Sequence, residues 1–424
     1  MEGDIRPPHK TATSLRNNDQ NSNAKTNTPL EDFKTPEQIA EQEQEASKSF
    51  TQDDSAADVS IDDDQRSENK TKTPFYKRIK FHRREWVITA AIVLICGSIV
   101  GFVLNHAGPK PVVSANKPKV VKKVVPKPTT VPSTLTGMQV DPSVNSRPVT
   151  GVMIENSLDA RPQSGLSEAG VVFEAIAEGG ITRFLALYQD TAPADIGPVR
   201  SARPYYIQWA LGFDAAYAHV GGSPQALANI KAWGVKDLDQ FYNAGAYRRV
   251  TTRYAPHNVY TTIANLNQLE TAKGYTTSTY TGFARKKATP IKTPTASKID
   301  INLSGSLYNV HYDYNKSANT YNRSEGGAPH MDAGGNIQIS PDVVVVMVIP
   351  YGIAADGHHS EYQTVGSGQV FIYQDGGLTT GSWTKKSEKE QITFTDANGK
   401  QILLNPGQTW LTAVGDANKV SSTP

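Results

Sequence analysis

Two runs decide how this chain folds: VVFEAI at 171–176 and ITRFLALY at 181–188. Both are of strand length and rich in β-branched and aromatic residues, so they read as buried strands. Working outward, VTGVMI (149–154) and DAAYAHV (214–220) repeat that pattern, while ARPYYIQWAL (202–211), SPQALANIKAW (223–233) and TTIANLNQLETAK (261–273) have helical spacing. Ser223 is a good N-cap, and Pro224 suits a first helical turn. Strands interleaved with helices predict a mixed α/β domain over 136–283. A Thr-, Lys- and Pro-rich linker follows at 284–298. Over 299–424 the pattern changes to short runs punctuated by Gly, among them LYNVHYDY, DVVVVMVI, GQVFIYQDGG, QITFTDANGK and QILLNPGQTWLTAV. This part reads as a mainly antiparallel β domain, with Asn398-Gly399 predicting a type I′ hairpin turn. The fold class is therefore α+β.

The sequence upstream is of another kind. Residues 1–73 hold 9 basic against 16 acidic residues and few aliphatics. Such a segment cannot bury enough apolar surface to offset chain entropy, which predicts a disordered acidic tail. A basic segment at 74–85 precedes Trp86–Leu104, nineteen residues without a charge. That length matches a bilayer core, and the span reads as a single transmembrane helix. Lys72, Lys77, Arg78, Lys80, Arg83 and Arg84 crowd its N-terminal side, predicting a cytoplasmic N-terminus and extracytoplasmic domains at the plasma membrane. Residues 105–135 form a Pro- and Lys-rich linker, a semi-rigid spacer whose lysines could also lie on anionic headgroups or wall polymers.

The only cysteine, Cys96, lies inside the apolar span, so no internal disulfide can form and a cysteine hydrolase is excluded. LICG superficially resembles a lipoprotein cleavage site, but the bulky Ile95 and the long preceding tail argue against it. Over 136–424 there are 23 basic and 24 acidic residues. That balance provides no field for gripping nucleic acid. No GxSxG elbow, no GxxxxGK[ST] loop and no GxGxxG turn occurs, which removes support for nucleotide motors and dinucleotide enzymes.

GVMIENSLDARPQSGL (151–166), EGGITRFLALY (178–188), IGPVRSARPYY (196–206), HVGGSPQAL (219–227) and APHNVY (255–260) resemble the YerB-like lipoprotein family. YNRSEGGAPHMD (321–332), GSGQVFIY (366–373) and LLNPGQTW (403–410) resemble its C-terminal domain. The resemblance implies an exported bacterial protein of two linked domains and supplies no mechanism, the family being one of unknown function. The chain departs from the lipoprotein members in carrying an apolar span and a long acidic tail in place of a lipid anchor.

Arg183, Arg200, Arg203 and Arg253 each sit in a Gly- or Pro-marked motif. If a helix begins near Ser201, Arg200 and Arg203 project at its N-terminus, where free N–H groups and the helix dipole favour an anion. Guanidinium forks bind phosphate or carboxylate bidentately. The competing reading pairs these arginines with Glu155, Asp159, Glu174, Glu178, Asp190 or Asp214 to tie loops together. His257 and His330 share the tripeptide Ala-Pro-His, and His219 precedes Gly221-Gly222. With Glu155 and Asp332 these imidazoles could serve acid–base chemistry, or merely hydrogen-bond turns. Their spacing fits no compact metal motif, and no cofactor is identified. His358-His359 reads as solvated loop. Tyr205, Tyr206, Trp209, Tyr242, Tyr247 and Tyr254 suit a core or interface better than a sugar cleft.

The function expected is binding of an anionic envelope polymer or a partner protein through an arginine-rich cleft. The alternative is a hydrolase or phosphotransferase acting on envelope glycopolymers.

Overall fold

The structure is a computed structural model and describes residues 129–424. The acidic tail (1–73), the basic segment (74–85), the apolar span (86–104) and residues 105–128 of the linker lie outside the described residues. Among the described residues no helix is long and apolar enough to cross a membrane.

The described chain is mostly sheet with three α-helices, in a two-part layout. The first part runs β1 (Thr150–Glu155), β2 (Val171–Glu178), β3 (Ile181–Tyr188), α1 (Pro204–Leu211), β4 (Ala216–His219), α2 (Pro224–Trp233), β5 (Lys236–Asp239) and α3 (Ile263–Lys273). The second adds β6 (Lys298–Ile301), β7 (Val310–Asn315), β8 (Thr320–Glu325), β9 (Ala328–Pro329), β10 (Val343–Val348), β11 (Gly366–Gln374), β12 (Gly377–Lys385), β13 (Thr393–Thr395), β14 (Thr409–Val414) and β15 (Val420–Thr423). Ser223 caps α2 by accepting from the Ala226 amide at 3.3 Å, and Pro224 occupies its first turn.

Ten strands make one sheet in the order β13-β12-β11-β10-β14-β2-β3-β1-β4-β5. β14 lies parallel to both its neighbours, β10 from the second part and β2 from the first. The expectation of antiparallel pairing thus fails at β14. Its residues TWLTAV are all buried, as in strands covered on both faces, and apolar content alone does not reveal strand direction. Five further strands form an antiparallel sheet, β9-β8-β7-β6-β15.

The alternation along β1 distributes the core. Met153 points to the face covered by α1 and α2 with Phe173, Leu185, Tyr206 and Trp209. Val152 and Ile154 point to the other face, where Ile263 and Leu266 of α3 pack. The Phe173 and Trp209 rings stack at 5.1 Å. Under the second part, Val344 and Val346 meet Ile299, Tyr312 and Tyr321 of the smaller sheet.

Two local expectations need correction. At Asn398-Gly399 only Gly399 has positive φ, and its amide bonds the Asp396 carbonyl at 2.9 Å, so the hairpin turn is not type I′. Asp375-Gly376, with φ of 59° and 78° between β11 and β12, is the two-residue turn in which both positions are left-handed. The described end of the upstream linker is packed: Val131–Pro132 pairs with Gln139–Val140, and Leu135 is fully buried.

A buried polar network crosses between the two parts. Arg323 on β8 is 0% exposed. Its Nη2 donates to Glu174 Oε1 on β2 at 2.9 Å, its Nη1 to the Tyr312 hydroxyl at 2.9 Å and its Nε to His330 Nδ1 at 2.8 Å. The other Glu174 oxygen accepts from Trp410 Nε1 of β14 at 2.9 Å. Glu325 Oε1 accepts from Asn156 at 2.6 Å and pairs with Arg161 at 3.1 Å. Burial pushes the Glu325 carboxyl up from its ordinary value despite Arg323.

Arg323→Ala would leave Glu174 charged and unpaired in the interior, and is expected to cost about 3–5 kcal/mol in urea unfolding. A second test uses Glu270 of α3, whose Oε1 accepts from Thr150 at 2.6 Å while Oε2 has no partner among the described residues. Burial pushes this carboxyl from 4.5 up to about 7. Between those values the folded protein keeps a proton that the unfolded chain has lost, so stability falls as pH rises through the window and levels off above it. Glu270→Gln is expected to flatten the thermal midpoint across that window.

Candidate functional site

Strands β1, β4 and β5 run parallel, so Glu155, His219 and Asp239, their last residues, all come to one end of the sheet. β3 starts at the same end, with Arg183 opposite Glu155. In open α/β sheets the crevice outside the carboxyl ends of parallel strands is the usual ligand position. The segment 197–203 crosses this end. Val199 bridges Ile154, the Arg200 amide bonds the Met153 carbonyl at 2.9 Å, and Ala202 bridges Gly222. Gly222 is needed there, because a β-carbon on it would stand 3.0 Å from that of Ala202. Arg203 then serves as N-cap position of α1, with its side chain turned away from the helix amides.

Two carboxylates gather three of the arginines. Glu178 accepts Arg203 bidentately, Nε at 3.0 Å and Nη2 at 2.7 Å, and also takes the Nη2 of Arg183. Burial opposes ionisation of Glu178, but Arg183 and Arg203 outweigh it and hold its carboxyl below the ordinary value. Burial draws the Arg203 guanidinium down, and the like charge of Arg183 adds to this. Glu155 Oε1 is 3.2 Å from Arg200 Nε, 2.9 Å from His257 Nδ1 and 3.0 Å from Ser157 Oγ. Burial also lowers the Arg200 guanidinium. Its two terminal nitrogens have no partner among the described residues, and the side chain is partly exposed.

His257 and Arg253 come from the tip of a hairpin whose strands, Tyr247–Arg249 and Val259–Thr261, pair antiparallel. With Nδ1 fixed by Glu155, the imidazole places Nε2 3.9 Å from Asp159 Oδ2. Asp159, Thr252, Arg253, Tyr254, Ala255 and His257 line an open hollow of about 590 Å³. Arg253 donates to the Asp159 and Pro162 carbonyls and has no carboxylate partner among the described residues.

The other expected site residues are used inside the fold. His219 is fully buried, its Nδ1 2.7 Å from the Gly221 carbonyl and its Nε2 3.0 Å from Asp237. His330 belongs to the Arg323 network. Burial, with Arg323 and Arg161 adding to it, puts its pKa well below the ordinary value, so it stays neutral. Asp332 is spent on backbone amides, Gly165 at 3.1 Å, Ser167 at 2.7 Å and Gly334 at 2.8 Å. The two Ala-Pro-His tripeptides therefore do not converge. Of the aromatics, Tyr205, Tyr206 and Trp209 are core, whereas Tyr242 and Tyr254 are exposed. Among the described residues no group of three or more His, Cys, Asp or Glu is placed to hold a metal ion.

His359, read from sequence as solvated loop, is only 23% exposed at its side chain. Its backbone bridges that of Glu178, bringing an imidazole from the second part to this end of the sheet. Its Gly- and Asp-rich surroundings gave no signal beyond loop. Ser157 was missed, and only its place two residues after Glu155 could have suggested it.

The two halves of this arrangement match one family. Its N-terminal domain, described as a domain of a protein of unknown function (DUF3048), matches residues 135–276, and its C-terminal domain matches 299–411. “Putative lipoprotein YerB” of Bacillus subtilis is 30% identical over 291 residues, covering 68% of this chain and 87% of its own. The chain belongs to the YerB-like family. The crystal structure of YerB from Bacillus subtilis aligns with a TM-score of 0.63 at 28% identity, over 70% of this chain and 100% of that one. The resemblance carried by the sequence motifs is thus a family membership.

Glu178→Gln leaves Arg183 and Arg203 sharing a neutral amide in a largely buried site. It is expected to lower the urea midpoint clearly, whereas Arg253→Ala, removing carbonyl contacts and an interaction with Tyr260 without stranding a buried charge, should change that midpoint much less.

Proposed function

We propose that this end of the sheet binds an anionic ligand of the cell envelope, an acidic polymer or a protein bearing acidic groups. The observation that carries the reading is an imbalance of charge. Arg183, Arg200 and Arg203 share two carboxylates, Glu155 and Glu178; Arg183 Nε is buried with no hydrogen-bond partner among the described residues, and the unpartnered nitrogens that reach an exposed edge are those of Arg200. An anion arriving there meets directed donors and relieves crowding between like charges. Glu155 joins Arg200 to His257, and His257 lines a hollow together with Arg253. Arg183 and Arg203 hold the crevice in shape and do not themselves reach the ligand. The relative's lipoprotein name and this chain's apolar span at 86–104 support display outside the cytoplasm on a membrane anchor.

A second reading rests on one further contact. A buried carboxylate that fixes Nδ1 of a histidine leaves Nε2 oriented for proton transfer, as an enzyme acting on envelope glycopolymers or their phosphate linkages would need. Turnover that disappears in His257→Ala would favour this enzyme over a binding module.

Binding of the full-length protein to immobilised peptidoglycan fragments is expected to weaken roughly tenfold or more in Arg200→Ala, the scale of one charge-assisted contact of about 1.5–3 kcal/mol. The loss should shrink in high salt, because an exposed cation is screened. Unaltered affinity in Arg200→Ala at low salt sinks the reading.

A further inference from the structure

The anionic ligand can be narrowed by what surrounds the free guanidinium. The hollow lined by His257, which shares Glu155 with Arg200, is not uniformly cationic. Asp159, whose side chain is 83% exposed, contributes a carboxylate, and Thr252 contributes a hydroxyl. Tyr254 is 91% exposed, yet its residue lines the hollow, so an aromatic side chain stands at the mouth with almost none of its surface covered by protein. A densely charged chain of phosphates would meet Asp159 as well as Arg253, so only part of the lining suits it, and it would gain nothing from an aromatic face. A peptide carboxylate would use the arginine, and its backbone N–H groups could serve Asp159, but an acidic residue has no ring-sized apolar face to cover Tyr254.

We infer that the ligand is an acidic glycan, a pyranose-based chain with isolated anionic groups rather than a continuous polyanion. This rests on the anion-binding reading above. Sugar hydroxyls are donors as well as acceptors, so they satisfy Asp159 while accepting from Thr252. The apolar face of a pyranose ring covers Tyr254, whose hydroxyl stays in water. The ring's carboxylate or phosphate then reaches the Arg200 nitrogens beside Glu155, next to His257. The hollow, at about 590 Å³, has room for one to two sugar rings.

The test compares ligands that differ in one group. Full-length protein is titrated with a disaccharide of N-acetylglucosamine and N-acetylmuramic acid, which bears one lactyl carboxylate. Parallel titrations use the neutral diacetylchitobiose, free lactate and poly(glycerol phosphate). The acidic disaccharide is expected to bind at least tenfold more tightly than the other three. Tyr254→Ala should cost it roughly three- to tenfold, the scale of one lost aromatic contact. Asp159→Asn should weaken the disaccharide while strengthening poly(glycerol phosphate), opposite signs that a folding defect cannot produce. Because Tyr254 and Asp159 are exposed, unchanged urea midpoints are expected for both variants.

The glycan assignment is overturned if Tyr254→Ala leaves disaccharide affinity unchanged, or if poly(glycerol phosphate) binds as tightly as the disaccharide. If Arg200→Ala still weakens poly(glycerol phosphate) in that case, anion binding survives and only the ligand class fails. If Arg200→Ala affects no probe, both readings fall together.

Discussion

The parallel insertion of Thr409–Val414 between Val343–Val348 and Val171–Glu178 is the constraint on which the rest of the structure depends. It makes one sheet out of two stretches that sequence pattern separates. A sheet covered on both faces can carry charged side chains inside only if each finds a partner, because an unpaired buried charge costs several kcal/mol. Arg323 and Glu174 meet that condition across the junction, with Trp410 of the inserted strand bonded to the same carboxylate. Removing this interaction would loosen strand insertion and the position of the adjoining β2, whose last residue is Glu178.

From that frame the crevice follows. β2 delivers Glu178, β3 delivers Arg183 and β1 delivers Glu155, while the crossing segment adds Arg200 and Arg203. The protein neutralises most of this charge itself. What is left over is small and directional: one guanidinium edge, one oriented imidazole and one surface arginine. An even charge over the folded part is compatible with such a site, since recognition at short range depends on local donors rather than on net field.

How much of this was legible depends on range. β3 and the helix cap at Ser223 are local matters, set by residue type and neighbours, and the sequence expectations match them closely. Arg183, Arg200 and Arg203 stood out because Gly and Pro flank them, but nothing local showed that Glu178 would take two of the three. His257 and His330 share a tripeptide and have unlike fates, one facing a hollow and the other sealed beside Arg323. Arg323 itself sits in an alternating strand, where side-chain direction flips at each residue and register alone decides which way a charge points.

Residue type and short spacing were enough for the principal strands and helices, the apolar span and the family, and they exclude an internal disulfide and a cysteine nucleophile in the folded part. The parallel course of β14, the sharing of Glu155 by Arg200 and His257, and the internal use of His219, His330 and Asp332 emerge only once the chain is folded. Those outcomes come from contacts between residues far apart in the chain, such as Thr412 and Glu174, 238 positions apart. Such pairing is fixed by packing and charge compensation in the folded chain and leaves no trace in local pattern.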